Sequence, residues 1–190
     1  MQIYFTDRDP FICAKNLPDQ LTYKILTEVA QLMSKFLWEQ GVEAPMKKIN
    51  QGKDFCEWIG QDYANWNWCY LYGLALNGEY KTAYNKDVNC KSFAAIQRCH
   101  EIHMDNTLPC PSMWFKSNSR HATTPPFIPI KNFDSSVFLD WEKYRVVTKY
   151  RHYLNWKVNK WKWEGKCKRL YSWTNRERPN FIEPEEYKWL

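Results

Sequence analysis

Lys24, Glu28 and Gln31 follow one another at spacings of four and three, so a helix would carry all three on one face. A carboxylate held beside a cation can act as a general base or stabilise a cationic intermediate. Asp19 lies just upstream. The candidate catalytic group is therefore Glu28, with Lys24 and Asp19 as charged neighbours. The competing reading is a solvated i,i+4 ion pair with no chemistry attached. A second set is Trp58, Asn65, Trp68 and Glu79. Aromatic planes stack on bases and an amide can read a base edge. Together with Gln31, these four are the candidate nucleotide- or base-binding residues. Core packing is the competing use of the tryptophans.

A third set is basic and aromatic. From Tyr144 to Lys162, cationic side chains alternate with Tyr and Trp, and Lys166, Arg169, Arg176 and Arg178 extend the pattern. Arg145, Lys149, Arg151 and Arg176 are the candidate phosphate-binding residues, since Lys and Arg neutralise phosphates while aromatics stack on bases. The stretch from Trp141 to Leu190 holds 13 Lys and Arg against 6 Asp and Glu, an excess of +7. The whole chain is +6, so the first 140 residues carry −1. A one-sided basic field points to a polyanionic partner.

Cys90, Cys99, His100, His103 and Cys110 are of types that bind zinc, but no Cys-x-x-Cys pair is present and the spacings match no common finger. No metal and no cofactor are expected. The cysteine count of 7 is odd, which favours free, mostly buried thiols over a disulfide framework. There is no Walker loop, no Gly-x-Ser-x-Gly and no His-Glu-x-x-His, which argues against those enzyme classes. The opening residues show no basic stretch followed by an apolar one, and no apolar run approaches bilayer length. A cytoplasmic protein with no membrane partner is expected.

The elements that must position these residues are mostly helical. The chain has 190 residues, 44% apolar and 17% aromatic, with only 6 Gly. That suits one domain with a real core and disfavours turn-dense β folds. The fold class read from the sequence is mainly α, a single domain over 1–190 with a short N-terminal strand at Ile3-Tyr4-Phe5. Asp9-Pro10 reads as the start of a short helix. A long helix is predicted over 19–40, its core stripe being Leu21, Ile25, Val29, Leu32 and Phe36, with Gly41 ending it. A helix over 53–80 is aromatic on every side, so it is central in the fold or lends a face to a ligand. Further helices are predicted over 90–104 and 137–163. Between them, 107–130 carries five prolines and reads as an ordered loop or lid. The segment 162–190 reads as irregular, with one helical turn after Pro184.

The chain also resembles a family of small, mostly uncharacterised tailed-phage proteins. The resemblance is carried by Asp7-Arg8-Asp9-Pro10, then Asp19, Lys24, Glu28 and Gln31, then Glu57-Trp58, Asn65, Trp68 and Glu79-Tyr80. Tyr144-Arg145, Tyr150, Trp173, Arg176 and Pro179 complete it. It spans nearly the whole chain through loose motifs. Gln20-Leu21 stands where the family has a His, and the family's Arg and His after Glu-Tyr are replaced around Ala83 and Asn89. The chain is more distantly similar to the phage pyrimidine-dimer DNA glycosylases, with Asp19-Gln20 and Glu28 as the nearest positions. That family's nucleophile is an N-terminal amine exposed by methionine removal. Gln2 is bulky, so Met1 is expected to stay.

The expectation that follows is a phage-type protein acting in the host cytoplasm on nucleic acid. It would hold DNA phosphates and an unstacked base, and carry out glycosylase-like base excision or base modification if it is an enzyme. One alternative is binding, sequestration or cleavage of a small nucleotide immune signal, of the cyclic-nucleotide or ADP-ribose type. Another is a host-protein-binding factor without catalysis. An open basic stripe would favour DNA, and a closed pocket a small ligand.

Overall fold

The computed structural model describes residues 3–105, 115–117, 119–128, 133, 135 and 141–182. It is mainly α. The helices are α1 (Pro10–Lys15), α2 (Asp19–Glu39), α3 (Lys53–Gln61), α4 (Tyr63–Tyr84), α5 (Lys91–Met104) and α6 (Val146–Trp163). Short 3-10 turns stand at Trp141–Lys143 and Lys168–Leu170.

Local sequence explains most boundaries. Asp9 caps α1 by accepting from the Phe11 N–H, with Pro10 opening the helix. Gly41 follows α2 with φ +78°, the left-handed conformation that glycine adopts without a Cβ penalty. The predicted core stripe of α2 is buried throughout, from Leu21 to Phe36.

The aromatic stretch departs from the prediction of one continuous helix. It breaks at Asp62, whose φ of −154° and ψ of 140° are extended. Its carboxylate accepts from the Ala64 N–H at 2.8 Å, so it caps α4. Hydrophobic periodicity runs through such a break, because α3 and α4 both bury aromatic faces in the same core. α4 packs against α1, α2, α3 and α5, which makes it the central helix and explains its tryptophans.

The expected N-terminal strand is absent: among the described residues there is no β-strand. Ile3, Tyr4 and Phe5 are nonetheless nearly fully buried. They form an extended plug whose side chains pack on helices, with Phe5 against Trp68 and Tyr4 against Tyr153. Apolar alternation called for burial there, and helical neighbours rather than a second strand provide it. Helix α6 starts at Val146, later than predicted, and residues 136–140 lie outside the described residues. So does the helical turn expected after Pro184.

One hydrophobic cluster joins residues from Ile3 to Ile182. No helix among the described residues is long and apolar enough to cross a membrane.

Candidate functional site

Residues 115–117 and 119–128 are pinned across the α3–α4 break. Lys116 N–H donates to the Gly60 carbonyl and Tyr63 N–H to the Ser117 carbonyl. The Asp62 carboxylate takes the Ser119 N–H at 3.1 Å and its Oγ–H at 2.6 Å. Burial pushes the Asp62 carboxyl up, but these donors outweigh it and hold it below the usual aspartate value. Further along, Thr123 N–H donates to Asn65 Oδ1 at 2.7 Å, and Thr123 Oγ1 accepts from Trp58 Nε1 and Asn65 Nδ2, both at 3.0 Å. Tyr150 Oη–H reaches the Pro126 carbonyl at 2.7 Å.

This anchoring builds a cleft of about 400 Å³ between α1, α4 and the 120–124 segment. Phe5 and Trp68 form its floor, and Arg8, Arg120, His121 and Asn67 stand around it. Trp68 Nε1–H is spent on the Arg8 carbonyl at 2.9 Å, which fixes the indole and sets the Arg8 backbone at the rim. Arg8, Arg120 and His121 are exposed. Neither guanidinium has a carboxylate partner among the described residues, and no acidic residue lines the cleft. A cationic rim over an aromatic floor accepts a planar group carrying negative charge.

The sequence-predicted base-binding residues divide between lining and support. Trp68 lines the cleft. Asn65 is fully buried and Trp58 is 2% exposed. Their polar groups are consumed by Thr123 and by each other, since Asn65 Nδ2–H also donates to the Trp58 carbonyl at 2.7 Å. They hold the loop that completes the cleft and do not face it. Arg8, Arg120, His121 and Asn67 were not singled out by pattern. Arg8 was visible inside the Asp-x-Asp-Pro motif. Arg120-His121 sat in the proline-bearing stretch, where no periodicity marks a functional face.

Asp19, Glu79 and Arg176 meet in the interior instead. Asp19 is fully buried. It takes Arg176 Nη2 at 2.7 Å, Thr174 Oγ1–H at 2.7 Å and Thr174 N–H at 3.0 Å. Arg176 Nη1 reaches Glu79 at 3.1 Å, and its side chain is only 3% exposed. The guanidinium predicted to hold phosphate is thus the buried counter-charge of the two carboxylates predicted for catalysis and base contact. The trio fastens the C-terminal segment to α2 and α4.

The other basic candidates are partly engaged. Arg151 donates to the Thr6 carbonyl at 2.7 Å and pairs with Asp7 at 3.1 Å. Lys149 is 3.4 Å from Glu142. Arg145 is exposed at the start of α6.

The Lys24–Glu28–Gln31 face forms a separate place. None of the three lines the Trp68 cleft. Lys24 is exposed and Glu28 and Gln31 are half-buried. Glu28 and Lys24 act electrostatically on Lys157 of α6. Lys157 Nζ donates to Tyr4 Oη at 2.7 Å and lies 5.5 Å from the ring centres of Tyr4 and Tyr153 and 4.9 Å from that of Trp161. Burial, with repulsion from Lys24, lowers the Lys157 amine to about 8, and Glu28 pulls the other way. Tyr4 faces this amine while Phe5, its neighbour, faces the cleft, so the plug separates the two places.

Among the described residues no group of His, Cys, Asp and Glu is arranged to hold a metal ion. Cys90 and Cys99 are buried, His100 stacks on Tyr70, and Cys110 lies outside the described residues. The chain matches no protein-family model, no curated protein and no solved structure.

Proposed function

We propose that the protein binds nucleic acid, seating one nucleotide unit in the Trp68 cleft with its phosphate between Arg8 and Arg120. The observation that carries this is the acid-free, cationic rim above the Trp68–Phe5 floor. The distant similarity to the phage pyrimidine-dimer DNA glycosylases agrees with it, as does the basic excess of the C-terminal quarter. The test is DNA binding across a salt titration, for the wild type and the Arg8→Ala/Arg120→Ala double variant. Wild-type affinity for single-stranded DNA falls steeply with salt, and the variant loses at least ~10-fold while its log–log slope flattens by about 0.7, from the one phosphate that the two arginines neutralise. Absence of wild-type binding at low salt overturns the reading, as does an unchanged slope in the variant. Binding of a free nucleotide with no gain from a longer strand would favour the small-nucleotide alternative.

A further inference from the structure

The 400 Å³ cleft has a counterpart across α1. A second cleft, of about 380 Å³, is bounded by Lys15, Arg151, Arg178 and Phe181. α1 contributes to both, Pro10 to the first and Ile12 and Lys15 to the second. On the ridge between them Phe11 is 47% and Ile12 44% exposed. An exposed aromatic between two basic hollows is an unusual use of surface area, since Phe contributes most to stability when buried.

The local charge count favours an anion that spans both hollows. Arg8, Lys15, Arg120, Arg151 and Arg178 supply five cations, against Asp7, Asp9 and Glu177. Asp7 is committed to Arg151, and the Asp9 carboxylate to the Phe11 N–H at 2.8 Å. Arg8, Arg120, Lys15 and Arg178 are exposed and have no carboxylate partner among the described residues. Crossing a helix ~10 Å wide takes about three nucleotides at the ~3.4 Å spacing of a stacked strand, and fewer in a stretched one.

Building on the nucleic-acid reading above, we infer that α1 is the saddle of a single-strand track. One phosphate lies at Arg8 and Arg120, the strand crosses the ridge with a base stacked on Phe11, and a further phosphate lies at Lys15 and Arg178. The occupant is an unpaired strand. A duplex keeps its bases stacked inside and would leave Phe11 nothing to stack on, whereas unpaired bases expose their faces to aromatic side chains.

The test compares thymidine 5′-monophosphate, oligothymidylates of two to eight units and a duplex of eight base pairs. Each is measured by competition against a labelled octamer, on wild type, Phe11→Ala and Lys15→Ala/Arg178→Ala. The octamer binds wild type at least ~10-fold more tightly than the monophosphate and more tightly than the duplex. Phe11→Ala weakens the octamer by ~5-fold or more, as expected for one lost base stack, and leaves the monophosphate unchanged. Lys15→Ala/Arg178→Ala lowers the octamer's salt slope by about 0.7, from the one phosphate the two cations neutralise. Circular dichroism melts of the two variants, which alter exposed side chains, check that the fold is retained. If the octamer outbinds the monophosphate but both variants bind it as wild type does, the track is wrong while the cleft reading stands; if the monophosphate binds and length adds nothing, the track is wrong and the cleft takes a small nucleotide. Preference for the duplex also overturns the track. If neither monophosphate nor octamer binds wild type, both readings fall.

Discussion

Lys157 shows how one residue's chemistry depends on neighbours distant in sequence. Its ammonium is surrounded by Tyr4, Tyr153 and Trp161, so burial disfavours the charged form and lowers the amine to about 8. An unfolded lysine titrates near ~10.4. Between those values the unfolded chain binds the extra proton, so this residue makes stability rise with pH across roughly pH 8 to 10.5. Glu28 supports the ammonium through its charge. Glu28→Gln therefore lowers the Lys157 pKa further, as followed by carbon-13 NMR of the lysine Cε. An unmoved Lys157 would mean that Glu28 has no hold on the amine. Lys24 and Glu28 were recognisable as a pair from their spacing, because four residues is one helical turn. Lys157 was recognisable only as one cation in a basic run, since its partners come from the other end of the chain.

At the scale of elements, Asp62 links helix capping to cleft assembly. It caps α4 and at the same time receives Ser119, on the segment that carries Arg120 and His121. Asp62→Ala removes the cap, worth ~1 kcal/mol, together with the Ser119 bonds, so a loss of about 2 kcal/mol or more is expected in urea unfolding. Because the folded carboxyl lies below its unfolded value, its contribution is complete above the ordinary aspartate pKa and is lost as pH falls through the folded one. Asp62→Asn should therefore flatten the acid limb of stability against pH. A limb identical to wild type would show that the Ser119 contacts contribute nothing. The break at Asp62 was hidden in the sequence, because Phe55, Ile59, Tyr63 and Trp66 keep a helical rhythm on both sides of it.

For the whole molecule, the buried Asp19–Arg176 pair, with the partly exposed Glu79, ties the C-terminal segment to the helical body. Removing one partner of a buried, hydrogen-bonded ion pair leaves an uncompensated charge, so Arg176→Met is expected to cost about 3–5 kcal/mol. Asp19→Asn/Arg176→Met should recover part of that loss in thermal or urea unfolding. Full stability in Arg176→Met would mean that the C-terminal segment is held by its apolar contacts alone, chiefly Trp173 and Ile182.

The sequence by itself determined the mainly helical class, the extent of α2 and the N-terminus of α1. These follow from local rules: periodicity, caps and proline or glycine at helix ends act within a few residues. Tertiary structure alone decided which polar residues face one another. It turned Asn65 and Trp58 inward to hold Thr123, matched Arg176 to Asp19 and Glu79, and brought Arg8 together with Arg120 above Trp68. Residue type states what a side chain can do. Desolvation and pairing across the fold decide what it does, and those depend on contacts between segments as much as 159 residues apart.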